Sequence, residues 1–294
     1  MIATARPAAR GIAMARPAPA PRRVWRRPAW SAGGAIGLAL TLLLVAAAVA
    51  GSLLPLDPTH QALALRLQLP VWAGGSAAHP LGTDQLGRDL LARVVAGARV
   101  SLLVGAAATV GAGAIGVGLG LLAGFRGGRV DAVVSWLVDV QLAVPFVVMA
   151  IALTTAVGRG LGTLLATLAL TGWIAYARVV RLQARAVRNA PWADAARALG
   201  ASPTRVAVRH ILPNLSAPIL VLATQQVAAM ILYEAALSYL GLGLGGSTIT
   251  WGGMVAGGRE TLLVAPWVSI VPGGAIALAV LGLNLLGDAL IDRS

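Results

Sequence analysis

Five long stretches of this chain carry no charge at all: Pro28 to Leu56, Val100 to Phe125, Gly160 to Ala177, Ile211 to Tyr233 and Thr261 to Gly287. A sixth, Ala132 to Gly158, is interrupted only by Asp139. About 20 apolar residues carry an α-helix across the hydrocarbon core of a bilayer. Six such runs predict an all-α integral membrane protein with six transmembrane helices and both termini on one side. A mean hydropathy of +0.82 and a charged fraction of 11% belong to that class rather than to a water-soluble domain.

All 23 basic residues are arginine. Without lysine the chain has neither the lysine of a phosphate-binding loop nor a Schiff-base nucleophile, and without cysteine it has no disulfide or thiolate metal site. His60, His79 and His210 are too scattered for a metal cluster. The formal charge of +13 invites a nucleic-acid reading, but the arginines are placed as in a membrane protein. Seven lie between Met1 and Arg27, before any acid. That segment reads as a disordered basic tail over residues 1–30. One assignment of sides puts seventeen of the arginines on the face of the tail and six on the other. The positive-inside bias makes the richer face, with both termini, cytoplasmic. The small-residue stretch Ala48 to Ser52 has a rival reading as a signal-peptide cleavage site; the long apolar run and the five that follow favour an uncleaved first span over residues 31–56.

Gly111, Gly113 and Gly116 spell a dinucleotide fingerprint in the middle of a span, with neither the preceding strand nor the later acid that such a site requires. Gly116, Gly120 and Gly124 repeat at four residues instead, a small-residue face on which another helix can pack closely. Asp139 and Glu234 are the acids expected at membrane depth, as pathway residues or as interhelical polar contacts. After the first span, residues 57–98 read as an external segment. Asp84 with Arg88 and Asp89 with Arg93 form two i, i+4 pairs that predict a short amphipathic helix along the outer surface.

Between the fourth and fifth runs lies DAARALGASPTRVAVRHILPN, Asp194 to Asn214. Gly200 ends one predicted helix, Ser202 and Pro203 begin a second, and Pro213 stops it. Ala195, Ala196 and Leu199 form a small apolar patch on the first, while Arg205 and Arg209 share a face of the second. Such a knob suits a groove on a partner. The alternatives are a loop whose arginines merely enforce topology, and a DNA-binding unit, which the short tethers at both ends disfavour.

Asp194, Ala195, Ala196, Gly200 and the closing Arg209-His210-Ile211-Leu212-Pro213 resemble the EAA loop of ABC-transporter permeases of the binding-protein-dependent importer type, with Asp194 where that family usually has glutamate. HPLGTDQLGRDLLARVVAGARVSLLVG (His79 to Gly105), GFRGGRVD (Gly124 to Asp131), EAALSYLGLGL (Glu234 to Leu244), WGGM (Trp251 to Met254) and NLLGDAL (Asn284 to Leu290) are similar, in order, to the C-type permease subunit of the peptide/nickel subfamily. The resemblance implies a type I ABC importer permease fold, with an N-terminal helix and a five-helix core over residues 99–290. It implies a non-catalytic subunit whose coupling loop, residues 189–214, docks on an ATPase. It further implies a homologous permease as heterodimer partner, two ATPase subunits that hold ATP and Mg, and an extracytoplasmic binding protein, all at the bacterial cytoplasmic membrane. Peptides, or nickel, are the implied solutes. A channel or secondary transporter is the alternative; an intramembrane enzyme lacks a nucleophile, base or metal cluster.

Overall fold

The computed structural model describes residues 32–53, 55–188, 191, 212–245 and 248–291. Among the described residues, eight helices of at least two turns carry the architecture: α1 Ala32–Leu53, α2 Leu90–Arg126, α3 Gly128–Ala143, α4 Phe146–Val157, α5 Leu161–Arg188, α6 Ser216–Tyr239, α7 Trp251–Gly258 and α8 Trp267–Ile291. Five of them, α1, α2, α5, α6 and α8, are each long and apolar enough to cross a membrane. Many large apolar side chains lie exposed on these helices, among them Leu43, Leu103, Val110, Leu182, Leu232 and Ile270. A surface of that kind is stable against lipid or another membrane subunit rather than water.

The sixth expected span, Ala132 to Gly158, is bent rather than straight. Its two halves, α3 and α4, meet at 92°. Proline forces the break, because the ring of Pro145 disfavours the helical conformation of the residue before it. Val144 accordingly adopts φ −95° and ψ 117°, and α4 starts afresh after Pro145. Gln141 holds the bend to α5: its side-chain oxygen accepts a 2.6 Å bond from Trp173 Nε1, and its Nε2 donates to the carbonyl of Leu170.

The 37 residues of α2 span about 55 Å at 1.5 Å per residue, well beyond a hydrocarbon core of about 30 Å. The helix therefore projects at both ends, which is why its first turns tolerate Arg93 and Arg99 and its last turn Arg126. It packs along α5, which runs on past Ala177 into an arginine-rich stretch ending at Arg188. Gly116, Gly120 and Gly124 are all buried on this interface. A Cβ at Gly120 would stand 2.7 Å from the carbonyl oxygen of Ala177, and Cβ atoms at Gly116 and Gly124 would overlap the Trp173 and Arg181 carbonyls. On the opposite flank α1 lies against α8, with Gly37 close to the Leu286 backbone and Gly282 close to Leu40. Helix α6 sits between α2 and α8, so that one apolar core joins Leu90, Ala98, Ile231, Trp251, Trp267, Ile276 and Ala279.

The short external helix does not form as expected. Gly87 takes φ +70°, which ends any helix, and residues 83–89 close a tight turn instead. The Asp84 N–H donates to the Arg88 carbonyl at 3.0 Å, and Thr83 bridges Asp89. Asp84 and Arg88 are paired at 2.6 Å, but across this turn. Asp89 does not pair with Arg93. Its Oδ1 caps α2 by accepting from Ala92 N at 2.8 Å, and its Oδ2 lies 2.7 Å from His79 Nδ1. Residues 84–94 are thus the cap and first turn of a spanning helix rather than a separate surface helix.

Candidate functional site

At one end of the bundle lie the turn at Gly127 and Gly128, the end of α5, and the single helical turn Leu212–Asn214 that leads into α6. Asp194, Ala195, Ala196, Leu199, Gly200, Arg205, Arg209 and His210 fall outside the described residues. Pro213 is described, in that last turn, and is exposed.

Arg181 of α5 makes a two-point contact with Asp131 of α3, Nε to Oδ1 at 2.5 Å and Nη2 to Oδ2 at 2.9 Å. A bidentate guanidinium–carboxylate pair fixes orientation as well as distance, so it clamps the start of the bent pair onto the helix that enters the loop. Asp131 also closes a small cleft with Gly124, Gly127, Gly128, Arg185 and Arg188. The glycine face on α2 brings this about, because only glycine at 124 lets the α5 backbone come so close. Asp139, one of the two acids expected at depth, is exposed on α3, facing a cleft shared with Arg178 and Arg181. It makes no ion pair among the described residues.

Glu234 is the other acid, and it is fully buried in α6. Its Oε1 accepts a 2.7 Å bond from Ser238 Oγ one turn later, while its Oε2 is buried without a hydrogen-bond partner among the described residues. The α7 backbone passes close to this face, for a Cβ at Gly252 would lie 3.0 Å from the Ser238 Cβ. In this chain Glu234 is thus an element of the α6–α7 contact.

The opposite end is capped by residues 55–89 and by α7. Here the separate sequence motifs meet. Thr83 is wholly buried; its hydroxyl donates to the Leu65 carbonyl at 2.5 Å and accepts from Gln68 N at 2.8 Å. Its own carbonyl accepts from Trp267 Nε1 at 3.3 Å. Gln85 Nε2 reaches the Gly257 carbonyl at 2.6 Å. Trp251 donates through its indole to the Val94 carbonyl at 2.9 Å and through its backbone N–H to Ser101 Oγ at 3.1 Å. The glycines of the His79–Asp89 stretch are required by the turn, since Gly82 sits at φ +80° with no room for a side chain beside Gln68 and Trp267. Asp57 opens the cap, its carboxyl held below its usual range by the Thr59 hydroxyl first and then by the backbone N–H groups of Thr59 and His60.

Asp84 is the hub of the cap. Its Oδ1 accepts from Leu86 N at 2.9 Å and Arg88 N at 3.0 Å, and its Oδ2 faces Arg88 Nε at 2.6 Å and Arg93 Nε at 3.5 Å. Arg93 also donates to the Pro58 carbonyl at 3.2 Å. Arg88 and Arg93, with Arg159 from the α4–α5 connection, line a cleft of about 320 Å³ beside α7. The pairings Asp131–Arg181, Asp89–His79 and Asp84–Arg93 escape sequence reading because their partners are not at helical spacing; only the two i, i+4 pairs carried a local signal.

Among the described residues no three potential metal ligands come together. A family model described as "binding-protein-dependent transport system inner membrane component" matches residues 116–294. The di/tripeptide transport system permease protein DppC of Pseudomonas aeruginosa (strain UCBPP-PA14) is 39% identical over 273 residues, covering 92% of this chain and 90% of that protein. The oligopeptide transport system permease protein OppC of Bacillus subtilis (strain 168) is 41% identical over 214 residues, 73% of this chain and 70% of that protein. The dipeptide transport system permease protein DppC of the same Bacillus strain is 37% identical over 270 residues, 91% of this chain and 83% of that protein.

Proposed function

This chain belongs to the family of binding-protein-dependent transport system inner membrane components, and we infer from that membership that it is a permease subunit of an ABC importer of peptides. The observation that carries the reading is likeness over nine-tenths of the chain to a protein named as a di/tripeptide permease. Nickel is not among the solutes those relatives are named for, and a channel or secondary transporter working alone has no support from them.

In this reading the chain contributes half of the pathway, paired with a homologous permease. ATP and Mg are held by two ATPase subunits, and peptide arrives on an extracytoplasmic binding protein. The arginine count of the sequence favours the end with the Gly127 turn as cytoplasmic in the bacterial inner membrane, with both termini on that side. Asp194 to Pro213, with Gly200 allowing its sharp turn, then meets an ATPase. Closure of the ATPases on ATP moves that loop, α5 carries the motion through the Asp131–Arg181 clamp to the bent pair, and the pathway reopens outward. The capped end faces the binding protein.

The test is purification of the tagged chain from its native membrane in mild detergent, with the stoichiometry of what co-purifies and an ATPase assay. A second permease and two ATPase subunits are expected, and Gly200→Leu is expected to separate ATP hydrolysis from peptide uptake while leaving insertion intact. A lone chain without ATPase, or undiminished uptake by the Gly200 variant, refutes the respective part.

A further inference from the structure

We propose that the arginine-lined cleft at the capped end binds the carboxylate of a short peptide as it enters the pathway, an inference that rests on the peptide-importer reading. The cleft joins three distant parts of the chain: Arg88 from the Gly87 turn, Arg93 from the first turn of α2, and Arg159 from the α4–α5 connection. Ser238 and Thr250 add hydroxyls, and the first turn of α7, at Thr250 and Gly253, completes one wall. The dipole of α7 thus places its positive end at the same spot.

Charge decides what such a cleft takes. Asp84 is the acid in reach of Arg88 and Arg93, and both of its oxygens are already engaged by backbone N–H groups and by the two guanidinium groups. One negative charge is shared by two arginines whose side chains remain 22% and 12% exposed. Arg159 is exposed and has no acidic partner among the described residues. No carboxylate lines the cleft, and Glu234 lies buried behind Ser238. The site therefore carries surplus positive charge in a partly desolvated setting, where a charge-assisted bond to an anion is strong.

Size and shape narrow the anion. A volume of about 320 Å³ stands at the small end of ligand pockets, which run from about 300 to 1,000 Å³, and fits a di- or tripeptide rather than a folded segment. The wall formed by residues 241–245 is nearly bare, with Leu244 the one side chain larger than hydrogen that it presents. Such a wall makes few demands on peptide side chains. The chemistry present reads the terminus that all peptides share.

The test uses the full permease–ATPase complex in nanodiscs, without binding protein. Retention of labelled trialanine is measured by equilibrium dialysis, with unlabelled trialanine or trialanine amide as competitor. The acid is expected to compete about tenfold better than the amide, in line with loss of a charged hydrogen bond. Arg159→Gln is expected to bring the two near parity, and Arg159→Lys to keep part of the preference. Absence of retention, equal competition by acid and amide in the parent protein, or a preference untouched by Arg159→Gln overturns the proposal. In a second assay with binding protein added back, an Arg159→Gln complex that loses its capture while keeping the acid-to-amide ratio also overturns the proposal, because the cleft then receives an acidic side chain of that protein. ATP-driven trialanine uptake by the complete system, run in parallel, separates the two failures: if uptake persists the cleft proposal alone falls, and if no peptide is taken up the importer reading falls with it.

Discussion

Replacing Gly120 by alanine adds one methyl group where α2 and α5 pack backbone to backbone. The new Cβ would lie 2.7 Å from the Ala177 carbonyl oxygen, 3.0 Å from the Ala177 Cα and 3.1 Å from the Val180 Cβ. Two of these are backbone atoms and cannot swing aside, so α2 and α5 must part by several tenths of an ångström. Overpacking of this sort costs about 1–3 kcal/mol. The same substitution at Gly118, on the same helix, meets nothing within 4 Å. Alanine also favours helix over glycine by about 1 kcal/mol at either site, and that gain cancels when the two variants are compared. Gly120→Ala should therefore be less stable than Gly118→Ala by about 1–3 kcal/mol, although it falls below the parent protein by less. For a chain of this size, 1 kcal/mol corresponds to about 2–4 °C in Tm, so a gap of roughly 2–12 °C is expected in thermal unfolding of the detergent-purified protein. Gly120→Leu should widen the gap and impair delivery of Arg181 to Asp131. Equal Tm values for the two alanine variants would show that the α2–α5 interface does not depend on close backbone approach, and the packing argument would fail.

Asp131→Ala leaves Arg181 half-buried without its carboxylate and should cost about 1–2 kcal/mol; a double-mutant cycle with Arg181→Ala, read by Tm, should recover a coupling energy of about that size, and additivity would dismiss the clamp. Thr83→Val removes a hydroxyl that serves both Leu65 and Gln68 and should cost about 2 kcal/mol, seen as faster protease cleavage between residues 55 and 89. Asp89→Ala deletes the α2 cap and the His79 contact together, for a loss of about 1–2 kcal/mol, while Asp89→Asn, which can still accept from Ala92 N, should retain about half of it. Trp251→Phe should cost about 1 kcal/mol through the lost indole bond to Val94, and a Tm indistinguishable from the parent would remove Trp251 from the cap.

Helix class and five of the six expected spans were legible from residue type alone, because a bilayer leaves a long uncharged run almost no alternative to a helix. The glycine stripe at 116, 120 and 124 was likewise legible as a packing face, since a period of four is local information. Pro145 stood in the sequence too, yet its 92° consequence depends on what receives the bend, here Gln141 reaching Trp173 and Leu170. Local spacing misled at Asp84 to Arg93. The same i, i+4 pattern serves a helix or a turn, and Gly87 at positive φ selected the turn because the Ala62 backbone packs against it.

Composition and order of motifs determined what kind of molecule this is: a multi-pass permease. Only the tertiary structure decided which charges meet. Asp131 with Arg181, Asp89 with His79, and the arginines at 88, 93 and 159 around one cleft come from separate parts of the chain, and no one-dimensional rule relates them. A hydrocarbon solvent dictates helices residue by residue, whereas a charge finds its partner only after those helices have packed.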